Sequence, residues 1–275
     1  MALGLNNNLF EHLPKPLVHL PHLALLDLRS NRLVDLDPGI IKRMTSLTKL
    51  MLRNNRIVSI PEEVGQLQKL KLISIRNNHL IKLPSSLNEV VSLEVLDVRG
   101  NQLRCMPPLG SLSSLLELDL QHNSLDSLPK ELKGLSSLTR LCIGYNNFIE
   151  FPASVLHMHS LAELDLEGNK VTSLLSFLTS AKLFFLSLFF FLMQLSSVPT
   201  DIENLTTLKT LYLSGNQLAA LPKELSKLQS LEKLYLNNNQ LHVIPEFLRV
   251  CFLFSSFIGC LFVIALKVLI IKNQK

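Results

Sequence analysis

The apolar positions of the chain recur in one frame, L-x-x-L-x-L-x-x-N-x-L, which usually ends three residues later in another apolar residue and a proline. Good copies run from Leu47 to Pro61 and from Leu231 to Pro245. The asparagine of the frame recurs at spacings of 22 to 24 residues, apart from one interval of 47. It stands at Asn8, Asn31, Asn55, Asn78, Asn101, Asn123, Asn146, Asn169, Asn216 and Asn239. A fixed period of this length is typical of repeat proteins.

Each copy of the frame predicts one short strand and one short return. The L-x-L stretch alternates with period two, so both leucines of the predicted strand face the same way. The stretch that follows, such as "PEEVGQLQKL" at 61–70, predicts a short helical or 3-10 segment. One copy cannot bury its leucines alone, whereas stacked copies bury a continuous core. The sequence therefore predicts an α/β solenoid, a curved horseshoe with a parallel sheet on its concave face and the returns on its convex face.

The asparagine is the one polar residue inside this apolar frame. Its amide can donate and accept hydrogen bonds, and a tight turn leaves backbone groups unpaired inside the core. We therefore expect a structural ladder of amides, one per repeat. The predicted ladder consists of Asn31, Asn55, Asn78, Asn101, Asn123, Asn146, Asn169, Asn216 and Asn239.

The segment 174–199, which falls inside the interval of 47 residues, interrupts the pattern. One alignment of its leucines puts Phe191 at the asparagine position, and counting back from Pro199 puts Met193 there. Either a degenerate repeat or an inserted segment that restores the register would account for it, and the interval, about two repeats long, favours the first. We therefore predict one solenoid domain of about ten repeats over 1–245.

The tail 246–275 is apolar in a different way. From residue 251 to 271 it holds fourteen Leu, Ile, Phe or Val residues and a single charge, Lys267. On an insertion scale the fourteen contribute on the order of −4 to −8 kcal/mol, against at most ~3 kcal/mol for the lysine. The sum of these free energies favours a membrane anchor that spans residues 251–271. The alternatives are an aberrant end of the chain and an apolar helix packed on the last repeat.

The predicted concave face carries the charged and aromatic positions of the frame. Arginine follows the second leucine in four successive copies, and carboxylates or tyrosines fill neighbouring positions. Guanidinium groups in such a row repel one another unless carboxylates lie close, so the row suits a protein partner that supplies carboxylates. The predicted partner-binding residues are Arg29, Arg53, Arg76, Arg99, Asp27, Asp97, Asp119, Gln121, Glu163, Asp165, Glu167, Tyr212 and Tyr235.

Composition and motifs argue against nucleic-acid binding, metal binding and catalysis. The 275 residues are 47 % apolar with a formal net charge of +5, but no basic run with aromatics predicts nucleic-acid binding. The four cysteines have no metal-ligand spacing, which favours reduced thiols in the cytoplasm. No phosphate-binding loop or nucleophile motif occurs. We expect a protein that is not an enzyme and that binds no metal or cofactor.

The frame resembles the leucine-rich repeat family, and stretches such as "SLTKLMLRNNRIVSI" and "LELDLQHNSLDSLPKELKGLSSLTRL" are similar to its cytoplasmic signalling group. Within that group the chain resembles the Shoc-two (Sur-eight) type of Ras-pathway scaffold. The resemblance implies a scaffold of the Ras/Raf–MAP kinase pathway whose concave face, including Arg53, Arg76 and Gln121, binds a Ras-type GTPase and a protein phosphatase catalytic subunit.

The chain departs from that group in its smaller number of repeats, in its apolar tail and in lacking a disordered N-terminal arm. Two alternatives therefore stay open. One is a tail-anchored membrane adaptor, and the other is a truncated fragment without independent function.

Overall fold

The computed structural model describes residues 1–171, 187–190, 193–243 and 245. The predicted degenerate segment is thus described from 187 onward, except for 191 and 192, and the tail 246–275 lies outside the described residues. Among the described residues no helix is long and apolar enough to cross a membrane, and the predicted anchor at 251–271 is not part of them.

The described chain forms two compact units. The first comprises Met1–Asn147 and Pro152–Leu161, and the second comprises Phe148–Phe151 and the residues from Ala162 onward. The first contains the strands β1 (Ala2–Gly4), β2 (Leu25–Asp27), β3 (Lys49–Met51), β4 (Leu72–Ser74), β5 (Val95–Asp97), β6 (Glu117–Asp119) and β7 (Arg140–Cys142). The second contains β8 (Glu163–Asp165), β9 (Ser187–Phe189), β10 (Thr210–Tyr212) and β11 (Lys233–Tyr235).

Within each unit every strand pairs in parallel with the next strand in the sequence. The central residue of one strand faces the central residue of its neighbour, as in Leu26 to Leu50 and Leu188 to Leu211. These central residues are buried, except Leu3 of β1, which is partly exposed, and the two flanking residues of each strand lie on the opposite, open face of the sheet. The period-two alternation of L-x-L therefore separates the core from the open face.

The returns are short and mostly 3-10 helical. In the first unit they are the 3-10 helices Lys15–His19, Glu62–Gln66, Ser85–Glu89, Lys130–Gly134 and Ala153–His157 and the α-helix α1 (Pro38–Ile41). In the second unit they are Thr200–Asn204 and Lys223–Lys227. A proline stands immediately before each 3-10 helix. These parallel strands and 3-10 returns confirm the predicted leucine-rich repeat fold class.

Repeat length decides which return forms. The longer repeat between Asn31 and Asn55 accommodates α1, whose first turn is capped by Asp37 through Oδ1 to the N–H groups of Gly39 at 2.7 Å and Ile40 at 3.2 Å. The shortest repeat, which ends at Asn123, has no helical return. One residue more or less thus changes the path of the return and leaves the pairing register of the strands unchanged.

The asparagine side chains connect consecutive repeats. The Oδ1 atom of Asn78 accepts the N–H of Ile57 at 3.0 Å, and its Nδ2 donates to the carbonyl oxygens of Leu52 at 3.0 Å and Ile75 at 3.1 Å. Asn55 and Asn101 make the same contacts one repeat earlier and later. Asn78 itself is buried, so the backbone groups it pairs have no access to water.

The repeat that contains β9 replaces this amide with a thioether. Leu188 is the central residue of β9 and Phe190 is buried at the second leucine position, so Met193 takes the asparagine position and Phe191 does not. The N–H groups of Met193 and Leu195 both donate to Oδ1 of Asn216, at 3.1 and 3.0 Å. The contact of Leu195 is the one that Ile57 makes with Asn78, so the next repeat pairs this turn in the ordinary way and the N–H of Met193 is an additional donor.

The ladder predicts that Asn78→Ala destabilises the protein strongly. The change leaves the buried N–H of Ile57 without an acceptor, which costs about 1–3 kcal/mol. The carbonyls of Leu52 and Ile75 lose one amide each but keep those of Asn55 and Asn101. Urea unfolding followed by circular dichroism measures it. Asn88→Ala is the control, because Asn88 pairs with Ser111 at the surface. Equal losses in the two variants would contradict a structural role for the ladder.

Close packing along the turns predicts a second effect at Gly100. A Cβ atom there would lie 2.4 Å from Oδ1 of Asn77, and the residue has a φ of +69°. Positive φ alone does not require glycine at this position, since Asn77 itself has a φ of 55°. Because Oδ1 ends an exposed side chain that can move aside, we expect Gly100→Ala to lower the free energy of unfolding by about 1 kcal/mol, mainly through the strained backbone. Gly4→Ala, whose Cβ would meet nothing closer than 3.6 Å, should have little effect in the same assay.

Candidate functional site

The open face of the first unit brings the predicted basic and acidic residues into neighbouring columns. The arginine column follows the strands β2 to β5 and consists of Arg29, Arg53, Arg76 and Arg99. The column beside it, at the last residue of each strand, holds carboxylates at Asp27, Asp97 and Asp119. Successive members of a column are about one strand spacing apart, roughly 4.8 Å. The repeat frame therefore turns a sequence interval of about 23 residues into a contiguous charged surface.

Arg29 is neutralised by its own repeat. Its Nε donates to Oδ1 of Asp27 at 2.9 Å, and its Nη2 donates to Oδ2 at 2.7 Å. These charge-assisted bonds from Arg29 hold the pKa of the buried Asp27 carboxyl below its usual value. The first arginine of the column is therefore already paired with a carboxylate of the protein itself.

The other three arginines have no such partner. Arg53, Arg76 and Arg99 form no ion pair with any described residue. Asp97 is close, but its carboxylate accepts hydrogen bonds from the Ser74 hydroxyl at 3.0 Å and the Arg99 backbone N–H at 3.2 Å. The Nε of Arg76 is buried and has no hydrogen-bond acceptor in the described structure. These three guanidiniums thus have no salt bridge among the described residues, although the pKa of the Asp119 carboxyl, which burial raises, is lowered in part by the charge of Arg99.

A small cavity lies on the same face beside the column. It has a volume of about 150 Å³ and is lined by side chains of β5, β6 and β7, including Asp97, Asp119, Arg140 and Cys142. Burial raises the pKa of the Asp119 carboxyl, although a backbone N–H of Gln121 at 3.0 Å opposes the rise. The carboxylates that the sequence places in one column therefore differ, since Asp27 is paired and Asp119 is desolvated.

The second unit carries a different surface. Glu163, Asp165 and Glu167 lie on and just after β8. Tyr212 and Tyr235 lie at the ends of β10 and β11 with ring centroids 4.3 Å apart and nearly parallel. The predicted acidic and aromatic positions of this half therefore occupy the open face of the second unit.

Phe189 extends the aromatic stack and was missing from the predicted site. Its ring lies 4.4 Å from that of Tyr212, and it is only partly buried. The alignment that places Phe191 at the asparagine position shifts Phe189 out of the column of Tyr212. Counting back from Pro199 would have found it, because Phe189 then stands directly opposite Tyr212.

Within 1–171, 187–190, 193–243 and 245 no group of three or more His, Cys, Asp or Glu side chains is arranged to hold a metal ion. The site is a broad charged surface, and its geometry suits recognition of another macromolecule.

Comparison with known proteins agrees with this geometry. Sequence profiles described as leucine-rich repeats match residues 1–57, 45–103, 114–135 and 187–248. A solved leucine-rich repeat protein of Leptospira interrogans is 36 % identical, with a TM-score of 0.70 over 89 % of this chain and 68 % of that one. The chain belongs to the leucine-rich repeat family.

More distant neighbours differ in biological setting. The solved structure of a TDR receptor is 28 % identical with a TM-score of 0.72, and this chain covers 49 % of it. The ectodomain of the Arabidopsis thaliana receptor kinase GASSHO1/SCHENGEN3, solved in complex with Casparian strip integrity factor 2, is 28 % identical with a TM-score of 0.53 over 90 % of this chain and 36 % of that one. The fold therefore occurs in a protein bound to a separate factor.

Two curated relatives are adenylate cyclases. That of Podospora anserina is 35 % identical over 142 residues, and that of Schizosaccharomyces pombe is 36 % identical over 108 residues. The matches cover 51 % and 38 % of this chain but only 6 % of each cyclase. The similarity is thus confined to a small part of those enzymes.

The Asp27–Arg29 pair predicts a pH-dependent contribution to stability. Because the pKa of Asp27 is lowered in the folded state, its contribution is present above the ordinary pKa of about 4 and is lost as the pH falls through the lowered value. Asp27→Asn should cost about 1 kcal/mol at pH 7, since Arg29 is partly exposed, and much less at pH 2. Urea unfolding at both pH values measures the difference. A cost that is the same at pH 7 and pH 2 would contradict this account.

Proposed function

We propose that the protein is a non-catalytic scaffold or adaptor of intracellular signalling that binds partner proteins on the open face of its first unit. The observation that carries the proposal is the set of three arginines, Arg53, Arg76 and Arg99, without an ion-pair partner among the described residues. A folded protein gains little from aligned like charges, whereas a partner that offers carboxylates pairs with guanidiniums in bidentate geometry.

The partner class is the finer part of the proposal. The resemblance to Ras-pathway scaffolds suggests a Ras-type GTPase and a phosphatase catalytic subunit, which would place the chain in the cytoplasm and in the Ras/Raf–MAP kinase pathway. The leucine-rich repeat fold supports a protein-binding role in general, and it leaves the partner to the exposed side chains. Binding assays with the purified GTPase and phosphatase subunit address this part directly.

Charge reversal of the arginine column tests the site. The full chain carrying Arg53→Glu/Arg76→Glu/Arg99→Glu should lose partners that wild type captures, with binding at least about ten-fold weaker, because each reversal replaces an attraction with a repulsion. Pull-down with quantitative mass spectrometry identifies the partners. Interferometry with the GTP-loaded GTPase and with the phosphatase subunit then measures affinity.

The matched control carries the same change in net charge elsewhere. Lys69→Glu/Lys130→Glu/Lys133→Glu reverses three exposed lysines located in or near the returns of the first unit. This variant should keep the wild-type partners. Identical partner lists for wild type and the arginine variant would overturn the proposed site. Loss of partners other than the GTPase and phosphatase would support the site and reject the Ras pathway.

A further inference from the structure

A second surface of the first unit exposes apolar side chains in a regular column. Val34, Val58 and Ile81 each stand three residues after a ladder asparagine, and 37 %, 47 % and 56 % of their surface is exposed. The backbone N–H of Val58 donates to the carbonyl of Val34 at 3.3 Å, so the first two lie directly side by side. We call these three residues the flank strip.

The core does not require the flank strip to be apolar. The residues immediately before its members, Leu33, Ile57 and Leu80, are completely buried. They already fill the interior at this point of each repeat. Single exposed apolar residues are ordinary, but three in adjacent repeats form one continuous patch, and rimmed patches of this kind mark interaction sites.

Basic residues surround the flank strip. Arg32 and Arg56 lie two residues before its members, Lys82 follows Ile81, and Arg104 takes the equivalent position in the next repeat. All four are exposed, and none forms an ion pair with a described residue. The nearby acid Asp35 is engaged instead by Nδ1 of His12 at 3.0 Å. Glu11, whose carbonyl accepts the N–H of Val34 at 3.1 Å, is also exposed here. The four basic residues outnumber the carboxylates of Glu11 and Asp35, so the rim has an excess of positive charge.

We infer that the flank strip binds a protein segment whose apolar side chains are flanked by carboxylates. The apolar strip would bury side chains of the segment, and the rim would pair with its acids. An anionic bilayer fits less well, because the strip is only about 10 Å long at strand spacing and contains no aromatic residue. This surface is separate from the arginine column and does not depend on the function proposed for that column, so the first unit would hold two partners.

Selection from a random peptide library displayed on phage tests the inference. The full chain serves as bait, and a Val58→Ser/Ile81→Ser variant removes peptides that bind elsewhere. Selected peptides should combine Leu, Ile or Phe with Asp or Glu. Fluorescence anisotropy of the best peptide should show affinity at least about ten-fold weaker for the double variant, as two apolar contacts are lost. Arg56→Ser should weaken binding and reduce its salt dependence.

The matched control is Val91→Ser, which removes an equally exposed valine outside the strip and should leave affinity unchanged. Circular dichroism of each variant checks that it is folded. Peptides that are neutral or basic, or that bind the double variant as well as wild type, would overturn the inference. The inference would also be overturned if the wild-type protein sedimented with phosphatidylserine vesicles and the double variant did not, because the strip would then contact a membrane.

Discussion

The hydrogen bonds of the buried asparagine are the constraint on which the rest of the structure depends. Every repeat turns sharply after its strand, and the turn leaves backbone N–H and carbonyl groups facing an apolar core. One amide pairs groups of two consecutive repeats, as Asn78 does for Ile57 of the preceding repeat and Ile75 of its own. Because the donor and the acceptor of the amide must both reach their partners, the strands and turns keep one register. The returns differ more: most are 3-10 helices, one is the α-helix α1, and the return between β5 and β6 has no helix.

This constraint also explains why the open face can carry function. Because the leucines and the asparagine supply the core packing and the backbone pairing of the turn, most outward residues of each strand are not needed for either. Their side chains can then be chosen for recognition, and they add up because the repeats stack at constant spacing. The arginine column and the Phe189–Tyr212–Tyr235 stack are two outcomes of the same frame. The flank strip is a third outcome, and its residues follow the asparagine turn instead of lying on the strands.

The repeat with Met193 shows how far the constraint can be relaxed. The thioether offers no amide, yet Asn216 of the next repeat still makes the ordinary ladder contact with the N–H of Leu195 and accepts the N–H of Met193 as well. Strand pairing continues through β9 because Leu188 and Phe190 keep the apolar positions. The sheet can thus pass through a repeat whose turn has no amide when the apolar spacing is maintained.

The sequence by itself determined the fold class, the strand positions and the columns of the open face, because the period of 23 residues and the L-x-L alternation encode them directly. Only the tertiary structure decided which charges are paired. Asp27 and Asp97 hold the same position in the frame, yet one binds a guanidinium and the other a serine hydroxyl. It also decided the register at Met193, where two alignments of the leucines were open. The pairing depends on which side chains of neighbouring repeats lie within reach of the same donor or acceptor. The repeat pattern gives the position of each residue in its own repeat and does not give these distances.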